Sequence, residues 1–228
     1  MKKISSLLLI VLFCLPSCST LQSLIAEPTS LETISALREV LNSSTFRAIS
    51  TLSKINKDGV MAILPSEIQP VLNTLKTVGL GNEIDKATEI IGNVSGEVAK
   101  ESGGIMKDAI AELDFGDAVS VVLGGEDAAT QVLKQAMYGS VKKRYSSRLE
   151  TELGKTEVLK YWPMASGAYN LFAKNKVNSS LPDFLSERAV DALFLTMGKE
   201  ESKIRQKPED LGKAVVTKVF NYYQNQKK

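Results

Sequence analysis

From Leu31 onward the apolar residues recur at three- and four-residue steps, and that spacing limits the chain to helices packed side by side. Leu31, Ile34, Leu37, Val40 and Leu41 form a first stripe, with Ser30 at the N-cap position and Thr33 at the box position behind it. Phe46, Ile49, Leu52 and Ile55 prolong the stripe as a second helix closed by Lys57-Asp58-Gly59. Met61-Ala62-Ile63-Leu64-Pro65 reads as an extended connector. A helix starting near Ser66 carries Ile68, Val71, Leu72, Leu75 and Val78, and Gly79 and Gly81 stop it. A longer helix over 82–100 carries Ile84, Ala87, Ile90, Ile91, Val94 and Val98. Its Gly92 and Gly96 each cost about 1 kcal/mol against alanine, and their spacing suits the close approach of another helix. Further helices are expected over 105–113, 117–123, 128–138, 141–153, 165–173, 183–206 and 209–223. Tyr161-Trp162-Pro163 serves as a loop anchor, 175–182 as a polar loop and Pro208 as a first-turn residue. No alternating strand, repeat or low-complexity tract interrupts the series. The expected fold is all-α, a single multi-helix, bundle-like domain over residues 31–224.

The segment ahead of that domain has the layout of an export signal. Met1-Lys2-Lys3 is a positive head, residues 7–13 are an apolar centre, and small or polar residues follow. The apolar run reaches about half of the 20 residues a membrane-spanning helix needs. Leu15-Pro16-Ser17-Cys18 resembles a lipobox, with small Ser17 directly before the cysteine; bulky Phe13 makes Cys14 the poorer candidate. The expectation is a signal peptide over 1–17, cleavage before Cys18, lipid on its thiol, and a flexible tether over 18–30. Each buried methylene contributes about 0.8 kcal/mol, so two or more acyl chains hold a protein at a membrane. The tether reaches about 40 Å at most when extended. By similarity to lipoproteins of Gram-negative bacteria, Ser19 directs the chain to the outer membrane, facing the periplasm.

Composition removes several chemistries. The 28 basic residues exceed the 26 acidic ones by the two lysines of the leader, so the processed chain has no net charge. No global basic field recruits nucleic acid, and none is expected as a partner. The chain has no histidine, which removes the commonest general base, metal ligand and pH switch together. Cys14 would leave with the leader and Cys18 would carry lipid, so neither a disulfide nor a Cys/His zinc site follows. No catalytic residue, metal or cofactor is assigned.

Four groups of residues invite functional reading. Gly124-Gly125-Glu126-Asp127 lies between an apolar run and a helix, but a phosphate loop needs a Gly-Lys-Ser/Thr ending. A helix stop followed by a helix start explains it better. Asp114, Asp117, Glu126 and Asp127 form the densest acidic cluster, a possible contact for a cation or ligand and also ordinary capping residues. Asp191, Glu200, Glu201 and Arg205 share one helix, where they can pair and fix the register of neighbouring helices. Lys142-Lys143-Arg144 and Arg148, beside Tyr138 and Tyr145, read as a solvated helix face, with anionic lipid headgroups or nucleic acid as the sharper alternatives.

Three stretches carry a resemblance to a known family. They are Asp117-Ala118 with Leu123-Gly124-Gly125-Glu126-Asp127-Ala128-Ala129-Thr130; Ala189-Val190-Asp191-Ala192-Leu193-Phe194-Leu195; and Glu200-Glu201-Ser202-Lys203-Ile204-Arg205-Gln206-Lys207-Pro208 with Lys218-Val219-Phe220. Together with Ile63-Leu64-Pro65 they resemble the bacterial domain of unknown function family 4197, whose members are often lipoproteins. The likeness runs from about Leu31 to Phe220. It implies an all-helical fold and export, and no activity. The expected function is a membrane-anchored, non-enzymatic binding or scaffold module of the cell envelope, with an envelope protein or lipid as partner. A carrier of an apolar ligand between helices is the alternative, and a carboxylate-based hydrolase or cation-binding enzyme the third option.

Overall fold

A computed structural model describes residues 26–55, 59–61 and 68–226 of the chain. Cys18, the leader, residues 18–25 of the tether and Ile63-Leu64-Pro65 lie outside the described residues. Among the described residues every regular element is helical. α1 is Ser30–Leu52, α2 is Gln69–Leu75 running into a π-helical segment Lys76–Leu80, and α3 is Gly81–Glu112. α4 is Ala118–Leu123, α5 is Ala128–Leu153, α6 is Val158–Phe172 and α7 is Leu181–Gln206. A 3-10 turn, Pro208–Leu211, leads into α8, Ala214–Gln226. No described helix is long and apolar enough to cross a membrane.

The helices are longer and fewer than local sequence signals suggest. α1 runs unbroken through Phe46 to Leu52, because Ala36, Leu37, Val40, Leu41, Ser44, Thr45, Ala48 and Leu52 keep one buried face going. It starts one residue earlier than expected. The cap is Thr29, not Ser30: Glu32 N–H donates to Thr29 Oγ1 at 3.2 Å, and Glu32 Oε2 accepts from Thr29 N–H at 2.8 Å. The box is therefore Thr29 with Glu32, and it is complete. α3 passes straight through Gly103-Gly104, where a break was expected, since Val98, Ser102, Met106 and Ile110 continue its buried face. Gly103 has a packing reason: a Cβ there would come within 2.8 Å of the Ile49 Cδ1 of α1. Gly92 and Gly96 likewise lie against Val60 and the Ser53 backbone, at the end of α1 and beyond it.

α5 replaces two expected helices with one. Leu133, Met137, Val141, Tyr145, Leu149 and Leu153 are buried at unbroken four-residue steps, and Gly139-Ser140 causes no interruption. With about 3.6 residues per turn such a stripe winds slowly around the helix, so α5 serves two neighbours. It packs mainly on α7 and also on α3, where Tyr145 Oη donates to the Ser95 carbonyl at 3.3 Å. Burial pushes the Tyr145 phenol well above its ordinary range. α1 completes the core against α7, α3 and α8.

Tyr161-Trp162-Pro163 is inside α6 and not a loop; the helix tolerates Pro163 in its second turn. Trp162 is still an anchor. Its Nε1 donates to the Asn178 carbonyl at 3.0 Å, and its ring stacks on Phe184 with centroids 5.6 Å apart. Asn170 clamps the following loop by exchanging two hydrogen bonds of 2.8 Å with the Val177 backbone. α7 begins at Leu181, two residues before expectation, with the Ser180 hydroxyl as its cap. Pro208 opens the 3-10 turn, and Gly212 at φ +67° reverses the chain into α8.

Candidate functional site

Two short helix ends meet beneath the last turns of α7. α4 stops at Leu123, Gly124-Gly125 turn the chain, and α5 begins at Ala128. A helix leaves its first N–H groups and last carbonyls without intrahelical partners. At each of these ends α7 satisfies two of the orphans. Glu201 is fully buried. Its Oε1 accepts from Ala129 N–H at 3.0 Å, and its Oε2 accepts from Thr130 N–H at 2.7 Å and from Thr130 Oγ1 at 2.6 Å. The carboxylate thus sits on the positive end of α5.

Arg205, one turn along the same face, completes the arrangement. Its Nε donates to Glu201 Oε1 at 2.7 Å, its Nη1 to the Val122 carbonyl at 2.8 Å and its Nη2 to the Val121 carbonyl at 3.1 Å. The last two acceptors are carbonyls of the last turn of α4. The guanidinium also stands 5.1 Å from the centre of the Phe220 ring of α8, and the Arg205 carbonyl accepts from Gln224 Nε2. One ion pair therefore clasps the end of α4, the start of α5, α7 and α8. Gly198 makes room for it, since a Cβ there would lie 3.0 Å from the Cβ of Asp127. Breaking such a pair by removing one partner typically costs about 3–5 kcal/mol, because the other charge stays buried.

The other residues of the α7 group also join it to neighbours. Glu200 lies 3.7 Å from Arg47 of α1 and pairs with Lys203. Asp191 lies 3.5 Å from Lys134 of α5. Burial and the nearby Asp191 carboxylate together raise the Tyr138 phenol above its usual value.

Three acids of the cluster serve local tasks, and Glu126 reaches across to α7. Asp117 caps α4, accepting from Val119 and Ser120 N–H at 3.1 and 3.2 Å and from the Ser120 hydroxyl. The Ser120 hydroxyl, then its N–H, hold the Asp117 carboxyl below its ordinary value. Asp114 accepts from Gly116 N–H at 2.8 Å. Asp127 accepts from Gln131 Nε2 and Glu126 from the Ser202 hydroxyl, each at 2.8 Å. Among the described residues no three Asp, Glu, His or Cys side chains are grouped to hold a metal ion. Three residues of the basic run are paired as well: Lys142 with Glu187 at 2.6 Å, Arg148 with Glu97 at 2.7 Å and Arg144 with Glu101 at 3.8 Å.

Over the clasp lies an open cleft of about 210 Å³, lined by Glu126, Ser202, Gln206, Phe220, Tyr223 and Gln224 among others. Sequence reasoning assigned no role to Thr130, Ser202, Gln206 or Gln224. The capping of α5 from a residue 71 positions away leaves no local signal. The apolar slot between Leu72, Ile84, Trp162 and Phe184 holds about 50 Å³, and both it and the cleft are below the roughly 300–1,000 Å³ of a small-molecule pocket.

The family model described as "Protein of unknown function (DUF4197)" matches residues 27–221. No curated protein matches the chain, and no solved structure does.

Proposed function

We propose, from the premise that the chain belongs to the DUF4197 family, that it is a lipid-anchored envelope protein whose helical domain binds a protein partner at the cleft above the Glu201–Arg205 clasp. One observation carries this reading. Residues from Val122 to Glu126, from Ser202 to Gln206 and from Phe220 to Gln224, far apart in sequence, converge on that cleft. The charges that build its floor are turned inward on helix ends, so their work is to hold a shape. The rim then offers hydrogen-bonding groups from Ser202, Gln206 and Gln224 around the nearly wholly buried Phe220 and Tyr223 rings of that floor. Aromatic groups surrounded by polar ones are typical of protein interfaces. The leader and Cys18 supply the compartment.

The test is photo-crosslinking in living cells from a reactive residue placed at Gln206, with a control at exposed Lys86. A recurring adduct with an envelope protein at position 206, absent at 86, is expected. No specific adduct at 206 would count against the reading. Mass analysis of the same protein reads whether the chain begins at an acylated Cys18; an uncut, unmodified chain in the cytosol would remove the anchoring part.

A further inference from the structure

α6 is apolar on almost every side yet buries little of itself. Val158–Phe172 contains one charged residue, Lys160, and only Trp162 and Ser166 are buried. The exposed residues Lys160, Pro163, Met164, Gly167, Ala168, Leu171 and Phe172 follow one another at helical spacing and form one continuous face. Met164, Leu171 and Phe172 are 68, 78 and 92% exposed. A helix of this composition ordinarily has an apolar neighbour on such a face.

Within the segment the charges have one sign, while Glu157 and Glu83 stand at its start, Glu83 accepting from Glu157 N–H at 3.4 Å. Residues 158–182 contain no aspartate or glutamate. Exposed Lys160 stands at one end of the apolar stripe, and exposed Lys174 and Lys176 at the other. The acid nearest in sequence, Glu157, makes a solvent-facing pair of 3.3 Å with Lys160. A second copy of the chain would bring the same lysines, and no carboxylate of this segment, against the face. A 15-residue helix is about 22 Å long, too short for the roughly 30 Å hydrocarbon core of a bilayer. It suits a position along a membrane surface and not across it.

We propose that the exposed face of α6 docks on an anionic lipid bilayer, with Met164, Leu171 and Phe172 entering the boundary between headgroups and acyl chains and Lys160, Lys174 and Lys176 meeting lipid phosphates. The lysine stems allow this, since they lie along apolar surface while the ammonium groups reach outward. The proposal stands on α6 alone and needs no lipid on Cys18. With an anchor as well, the contact would set which way the domain faces.

The test is hydrogen–deuterium exchange of the full chain reconstituted in vesicles of phosphatidylcholine alone or mixed with phosphatidylglycerol. Amides of residues 164–176 are expected to exchange about tenfold more slowly in the anionic vesicles, while α5 peptides are unchanged. High salt and the double variant Leu171→Ser/Phe172→Ser are each expected to remove most of that protection. The variant alters only exposed side chains, and its α5 exchange reports that it is folded. Equal exchange in both vesicle types, or protection that survives the double variant, overturns the proposal. Protection that appears without vesicles and grows with protein concentration overturns it in favour of self-association. The mass of the N-terminal peptide reads acylation separately, so failure here leaves the anchor and the cleft to their own tests.

Discussion

The N-termini of α1 and α5 face the same problem, a turn of N–H groups with nothing inside the helix to accept them. α1 solves it within four residues, Thr29 and Glu32 bonding to each other's backbone N–H. α5 has an aspartate at the corresponding place, but the Asp127 side chain does not cap the helix. The cap comes from Glu201, 71 residues onward from Thr130 and wholly buried. A local cap forms whenever its own helix forms. A cap brought by another helix exists only once α4, α5, α7 and α8 have assembled, so it couples their stabilities. Removing it should therefore be felt throughout the domain, and removing the local one should not.

The largest effect is expected from Glu201→Ala, which strands Arg205 and frees Ala129 and Thr130 N–H together. A loss of about 3–5 kcal/mol should lower the melting temperature by on the order of 10 °C for a domain of this size. Gly198→Ala should follow at about 1–3 kcal/mol, because its new Cβ meets the Cβ of Asp127 at 3.0 Å and prises α5 from α7. Thr29→Ala should cost only about 1 kcal/mol, with faster amide exchange confined to the first turn of α1. If Thr29→Ala matched Glu201→Ala, the distinction between local and long-range caps would fail.

The smallest effect is a pH dependence. Asp117 is held below its ordinary value of 3.8 by Ser120. Glu32 is held below 4.5 by Lys218 of α8, 2.6 Å away, and by Thr29 N–H. A carboxyl with a lowered folded-state pKa binds fewer protons when folded than when unfolded. Its stabilisation is full above the unfolded value and lost as pH falls through the folded one. Asp117→Asn and Glu32→Gln should each flatten the acid limb of a stability–pH curve below about pH 4.5 and leave the neutral plateau nearly level. Asp117 is solvent-exposed and Glu32 partly so, so each change is modest.

The same contrast governs what could be read from the sequence. Helix after helix is visible in the apolar spacing, and the all-α class follows from it. Gly103-Gly104 and Gly139-Ser140 look like breaks because propensity is a local quantity. The faces Val98–Ser102–Met106 and Met137–Val141–Tyr145 carry their helices across by tertiary packing. Thr29-Ser30-Leu31-Glu32 does spell the complete capping box, one residue ahead of the stripe that draws the eye to Ser30. The spacing of Glu201 and Arg205 shows that they can pair. It does not show that the pair is buried or that its partners are the Val121 and Val122 carbonyls and the start of α5. Those depend on two loops meeting in space. The exposure of α6 was hidden for the opposite reason, since a nearly uncharged helix reads as core.

The account turns most on the claim that Glu201 and Arg205 act as one buried unit. A double-mutant cycle by urea unfolding measures this directly, with Glu201→Leu, Arg205→Met and the two combined. Each single change should cost about 3–5 kcal/mol, and the double variant should be more stable than their sum implies by at least about 2 kcal/mol. Costs that add to within about 0.5 kcal/mol would show two independent side chains and contradict the clasp.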